Sequence, residues 1–186
     1  MKQVYILLSR TQTIPSRMIH SVTGGTFTHA SISLTPATDR FYSYARRKIN
    51  NPLFAGFIVE NIHTDVFAKY PECHCSLFSL TVSEQAYEKM QQCIAHYSDN
   101  YQRAKYNFLG VVPLRLGIRF PRKFRLTCSQ FVAIVLAASG EISLPKDPYR
   151  MLPNDFLKIT ELQRLYDGPL KNCAIPDPNR AAEVAK

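Results

Sequence analysis

Two stretches of this chain hold residues whose type and spacing could do chemistry. The first is residues 126–140, L-T-C-S-Q-F-V-A-I-V-L-A-A-S-G. Thr127 and Gln130 fit the S/T-x-x-E/Q capping box that fixes a helix start, and Gly140 stands where a helix stops. Cys128 therefore falls in the first helical turn. Helix N-termini carry partial positive charge and N–H groups with no intrahelical partner. A thiol in that field ionises more readily than an ordinary one, and the same N–H groups can stabilise a developing oxyanion. The competing reading is a small core cysteine that happens to open a helix.

The second stretch is residues 28–34, T-H-A-S-I-S-L, which alternates with period two. Ala30, Ile32 and Leu34 share one face; His29, Ser31 and Ser33 share the other, which is expected to look into a cleft or solvent. A lone strand histidine is ordinarily structural. Beside a cysteine at a helix start it becomes a candidate general base, the usual companion of a thiol nucleophile.

The elements that must position these two residues follow from pattern. Residues 131–138 are unbroken non-polar sequence, which predicts a helix buried all round. Residues 4–8, 28–34, 41–45, 56–62, 73–82 and 162–166 read as strands, and residues 83–97 as an amphipathic helix with Tyr87, Met90, Ile94 and Tyr97 on its apolar face. Glu60 interrupts the apolar run of the 56–62 strand, so it reaches a polar cleft or lies on an edge. Pro15 suits the first turn of a short helix over 16–22, closed by Gly24-Gly25. Residues 100–110 read as an aromatic-rich helix or turn, and residues 154–159 as a short helix. The expected fold is α+β, an antiparallel sheet of five or six strands packed on the buried Cys128 helix. One domain spans residues 1–170, and residues 171–186, with Pro176 and Pro178 and no periodicity, form a mobile tail.

Composition bounds the rest. A chain of 186 residues with 46% hydrophobic content suits one globular domain. The N-terminus lacks the features of a signal peptide and no apolar run is long enough to span a bilayer, so the expected location is the cytoplasm. Five cysteines, an odd number, argue against a disulfide framework. Cys73-His74-Cys75 invites a metal reading, but neighbouring strand residues point to opposite faces and no C-x-x-C pair completes a site; no metal and no cofactor are expected. The net charge of +9 concentrates in Arg115, Arg119, Arg122, Lys123 and Arg125 and in Arg46, Arg47 and Lys48. No nucleic-acid motif accompanies these clusters, so they are read as solvated faces, with neither nucleic acid nor a membrane surface expected as partner.

T-C-S-Q-F-V resembles the nucleophile motif of the NlpC-type papain-like cysteine peptidases, where a C-S-x-F-V run opens a buried helix. Here the histidine strand precedes the cysteine by about a hundred residues. That order is similar to the circularly permuted branch of the papain-like fold, which includes YiiX-like hydrolases and lecithin:retinol acyltransferase-like enzymes. Y-N-F-L-G before the cysteine and P-N-D-F after it also resemble the YiiX-like group. The resemblance spans residues 4–166 and implies a permuted papain-like fold with Cys128 as nucleophile and His29 as base. It implies a cysteine hydrolase cleaving an amide bond in a peptide or cell-wall-type substrate through an acyl-enzyme. An acyltransferase or esterase acting on lipid, and a non-enzymatic module docking an anionic partner, are the alternatives.

The family takes its third catalytic group from the strand after the histidine. Matching F-Y-S-Y to that strand places Ser43 there, where relatives carry a stronger polar residue. Glu60 on the next strand competes for the role, as does a backbone carbonyl, and Glu60 otherwise lines the substrate side. A family tyrosine near the oxyanion site corresponds to Tyr106, for which plain aromatic packing is the competing reading.

Overall fold

The computed structural model describes residues 1–10, 24–48, 51–107, 118 and 124–175. Within them the chain is an α+β protein with one eight-stranded sheet and two long helices. The strands are β1 (Lys2–Arg10), β2 (His29–Ser33), β3 (Phe41–Lys48), β4 (Asn51–Glu60), β5 (His74–Val82), β6 (Lys105–Tyr106), β7 (Arg125–Leu126) and β8 (Gln163–Pro169). They lie in the order β7-β6-β4-β3-β2-β1-β5-β8. Every pairing is antiparallel except β6 with β7, which is parallel. Six of these strands stand where the pattern puts them. The two extra ones, β6 and β7, are two residues each, too short for any alternation to register.

β1 is a near-continuous apolar run because it is covered on both faces. Val4, Ile6 and Leu8 point into a large core, while Tyr5 and Leu7 enter a second, smaller one on the other face. The same division corrects the reading of β2. Ala30 and Ile32 face the large core as expected, but Ser31 and Ser33 are fully buried rather than solvated. The second face of the sheet is roofed by Phe41, Ile62, Phe67, Cys73, Leu170 and Cys173.

Both helices pack on the large core. Helix α1 (Glu84–Asp99) is capped by Ser83, whose hydroxyl accepts from the Ala86 amide at 3.1 Å, and it buries Ala86, Met90 and Ile94. Helix α2 (Cys128–Ser139) starts at Thr127 with the full capping box and ends at Gly140 with φ 75°, the left-handed turn that glycine adopts without strain. It is buried on most of its circumference, not all: Ala137 is exposed and Ile134 half-buried. Phe131 anchors α2 between Tyr44, Phe57 and Tyr97, with ring centroids 5.4, 5.6 and 5.5 Å away. Such ring pairs contribute roughly 0.5–1.5 kcal/mol each beyond the area they bury.

The remaining expectations divide. The 16–22 helix lies outside the described residues, as do Arg115, Arg119, Arg122 and Lys123. Residues 154–159 form a 3₁₀ turn, Pro153–Lys158. The chain stays packed beyond residue 170: Lys171 N donates to the Pro71 carbonyl at 3.0 Å, and Cys173 and Ile175 are buried. Arg47 is no solvated charge. Its guanidinium donates to the carbonyls of Phe57, Tyr101 and Ala104 and lies 3.9 Å over the Tyr101 ring. Among the described residues no helix is long and apolar enough to cross a membrane.

Candidate active site

The start of α2 is fixed from three directions. Thr127 Oγ1 accepts from the Gln130 amide at 3.3 Å, and Gln130 Oε1 accepts from the Thr127 amide at 2.9 Å. The amide nitrogen of the same Gln130 side chain donates to the Tyr149 carbonyl at 2.8 Å, and Ser129 Oγ donates to the Met151 carbonyl at 2.7 Å. The first turn is therefore pinned to residues 149–151, and Cys128, only 3% exposed, is held with it.

β7 delivers the chain to this turn. Its parallel partner β6 sets Tyr106 opposite Leu126, two residues before the cysteine. The Tyr106 hydroxyl is a hydrogen-bond partner of the Cys128 thiol. Burial, then the neighbouring Cys128 charge and this hydrogen bond, push the phenol well above its ordinary 10.0, so it stays a neutral donor. Phe124, at the entry to β7, holds a left-handed φ of 57°. A bulky residue in that region is strained and persists only where its surroundings hold it. Here Phe124 stacks on His96 with centroids 5.5 Å apart, and its carbonyl accepts from the Lys105 amide at 2.8 Å.

His29 is the first residue of β2, opposite Ser9 of β1. The approach to it is set by Asn154, whose amide group closes both hydrogen bonds of the Phe27 backbone: Phe27 N donates to Oδ1 at 3.2 Å and Nδ2 donates to the Phe27 carbonyl at 2.9 Å. Gly25 leaves room beside it: a Cβ there would lie 1.9 Å from Asn154 Nδ2 and displace that side chain. Thr28 N then donates to the Ser9 carbonyl at 3.0 Å, and the strand begins.

The His29 ring is nearly buried, with 13% of the side chain exposed, and its Nε2 sits 2.9 and 3.0 Å from the two oxygens of Glu60. The Cys128 thiol is its other hydrogen-bond partner. With Nε2 taken by the carboxylate, Nδ1 is the nitrogen left for the sulfur. Burial works against a charged ring, but the Glu60 charge together with hydrogen bonds to Cys128 and Glu60 overrides it, and the imidazole pKa rises well above 6.5. Phe67 closes the far side, its ring centroid 6.3 Å from that of His29.

Of the residues singled out from sequence, Cys128, His29, Glu60 and Tyr106 come together. Ser43 does not join them at the ring. Its buried hydroxyl donates to the Ala30 carbonyl at 2.7 Å, so it ties β3 to β2 and leaves the imidazole to the Glu60 carboxylate. Glu60 thus stands behind the histidine as the competing orienting group, rather than on a substrate-facing wall. Asn154 and the outward reach of Gln130 are the positioning residues that local pattern did not reveal; P-N-D-F was the only sequence signal near the former.

Among the described residues no group of three His, Cys, Asp or Glu side chains could hold a metal ion. His74 pairs instead with Asp167 at 2.8 Å and stacks on Phe27. The assembled groups can move a proton from sulfur to imidazole and keep the resulting charge pair out of water. No family model matches the chain, and no curated protein matches it.

Proposed function

We propose that this chain is a cysteine hydrolase that cleaves an amide bond through an acyl-enzyme, on a circularly permuted papain-like fold. One observation carries the reading: a buried imidazole bears a carboxylate on Nε2 and meets a thiol at a helix N-terminus. The strand bearing the base precedes the nucleophile helix, as the resemblance to the permuted branch requires.

The chemistry follows from the contacts. His29 Nδ1 takes the Cys128 proton, and Glu60 stabilises the imidazolium and fixes its orientation. The thiolate attacks the carbonyl carbon. Negative charge then grows on the carbonyl oxygen, where the Cys128 amide at the helix start and the neutral Tyr106 hydroxyl are the available donors. The imidazolium returns its proton to the leaving amine as the C–N bond breaks, leaving a thioester. Water, deprotonated by the same ring, attacks that thioester and releases the acid and the free thiol.

Ester hydrolysis and acyl transfer share every step up to the thioester and differ in the group that leaves or arrives. A parallel panel of amide and ester donors separates them. The basic test is alkylation by iodoacetamide at about pH 6.5, where an ordinary thiol is mostly protonated. Cys128 is expected to react faster than a free thiol, and faster than in His29→Ala. Equal rates in both proteins would remove the basis for a hydrolase.

A further inference from the structure

A second group of thiols lies in the smaller core, apart from the nucleophile. Cys73, Cys75 and Cys173 are all free and all buried there. The backbone brings them together from opposite ends of the sequence. β5 runs against β8 with Cys75 opposite Gly168 and His74 opposite Pro169. The chain then turns back under β5: Leu170 N donates to the Cys73 carbonyl at 2.9 Å, and Cys173 N donates to the Leu170 carbonyl at 2.9 Å. This return sets the Cys173 sulfur within hydrogen-bonding reach of the Cys75 thiol.

The pair has features that core packing alone does not require. Both residues are 1% exposed or less, and neither serves the site described above. Their two thiols share a hydrogen bond, which lowers the Cys173 pKa against its burial. Access is through the sheet margin. β8 is the last strand, mostly exposed, and its register with β5 slips between Leu77 and Phe78. An edge strand of this kind opens locally more easily than the strands inside the sheet.

We propose that Cys75 and Cys173 form a redox-active pair that a peroxide closes to a disulfide, fastening the segment after β8 to β5. Cys173 thiolate attacks one oxygen of hydrogen peroxide; the O–O bond breaks and, with one proton taken up, water leaves and Cys173 carries a sulfenic acid. The Cys75 sulfur attacks that sulfur, the S–O bond breaks, and a second water leaves. Two thiols are oxidised by two electrons and one peroxide is reduced to two waters. A thiol reductant reverses the bond by exchange. The bridge would close a loop of about a hundred residues, long enough to restrict the unfolded chain strongly.

The test uses the full chain carrying Cys128→Ser, so that the nucleophile consumes no oxidant. After treatment with hydrogen peroxide the intact mass is expected to fall by two hydrogens, and digestion without reductant to yield one peptide pair joined through Cys75 and Cys173. The thermal midpoint is expected to rise by roughly 5–15 °C and to return on adding dithiothreitol. Adding Cys75→Ser or Cys173→Ser should abolish the linkage, and adding Cys73→Ser should keep it. A linkage through Cys73 or Cys93, full recovery of free thiols after denaturation, or a linked pair that leaves the midpoint unchanged would each overturn the proposal. None of these readouts depends on hydrolase activity.

Discussion

Glu60 meets Nε2 of His29 with both carboxylate oxygens, at 2.9 and 3.0 Å, from a strand that is not the neighbour of the histidine strand. β3 lies between them in the sheet. The contact therefore reaches across an intervening strand, and it is the main reason a buried imidazole can hold a proton here.

Replacing this carboxylate should be visible in pH dependence. His29 is raised above 6.5, so its imidazolium persists until pH passes the folded value. In Glu60→Gln the imidazolium is lost at lower pH, so Cys128 alkylation at about pH 6.5 is expected to slow, and turnover to drop roughly 10- to 100-fold. Stability carries the same sign. A raised histidine pKa adds stability that is fully present below the unfolded value near 6.5 and disappears as pH rises through the folded one. Denaturant midpoints measured from pH 5 to 9 should accordingly fall with rising pH in the wild type and flatten in Glu60→Gln. An unchanged alkylation rate would show that the carboxylate does not govern the ring.

Tyr106→Phe removes a single hydroxyl from beside the thiol. If that hydroxyl supports the oxyanion, kcat should fall about 10²-fold with little change in KM, as for loss of one oxyanion donor. The variant should fold normally, because the ring stays where β6 places it. A kcat within about twofold of wild type would reduce Tyr106 to aromatic packing.

Gly56 is the point where β4 touches the backbone of Ala104. A Cβ there would lie 1.9 Å from the Ala104 carbonyl oxygen and 2.7 Å from the Arg47 guanidinium. Backbone on one side and the Arg47 clamp on the other leave little room to adjust. Gly56→Ala is expected to cost about 2 kcal/mol or more, read from urea unfolding. A neutral substitution would mean that β4 and the 101–104 turn can separate freely.

Asn154→Ala should act on the site from a distance. It strips the Phe27 amide and carbonyl of their partners, for about 1–3 kcal/mol of stability. Because Phe27 lies two residues before His29, Cys128 alkylation should slow as well. Asn154→Asp keeps the acceptor but not the donor, and an intermediate effect on both measurements is expected. Loss of stability without any change in alkylation would restrict Asn154 to a scaffold role.

The parts legible in the sequence are those encoded by near neighbours. Thr127 and Gln130 are three residues apart, so the start of α2 and the position of Cys128 follow from a local pattern. The face pattern of β2 was readable, but its environment was not. Ser31 and Ser33 look solvent-facing by type, yet Tyr5, Leu7 and Phe41 cover that side from other strands. The choice between Ser43 and Glu60 turned on the same kind of non-local fact. Ser43 stands next to β2 and spends its hydroxyl on the Ala30 carbonyl, whereas the more distant Glu60 is long and charged enough to reach the ring. Asn154 was out of reach for sequence reading because its partner, Phe27, lies 127 residues away.

The Cys128 sulfur comes from a helix packed on one side of the sheet, whereas Phe67, against the His29 imidazole, belongs to the cluster on the opposite side. On the proposed function, competence would be a property of both layers together and of neither by itself. A change that shifted one layer against the other would then slow Cys128 alkylation before it lowered the melting midpoint.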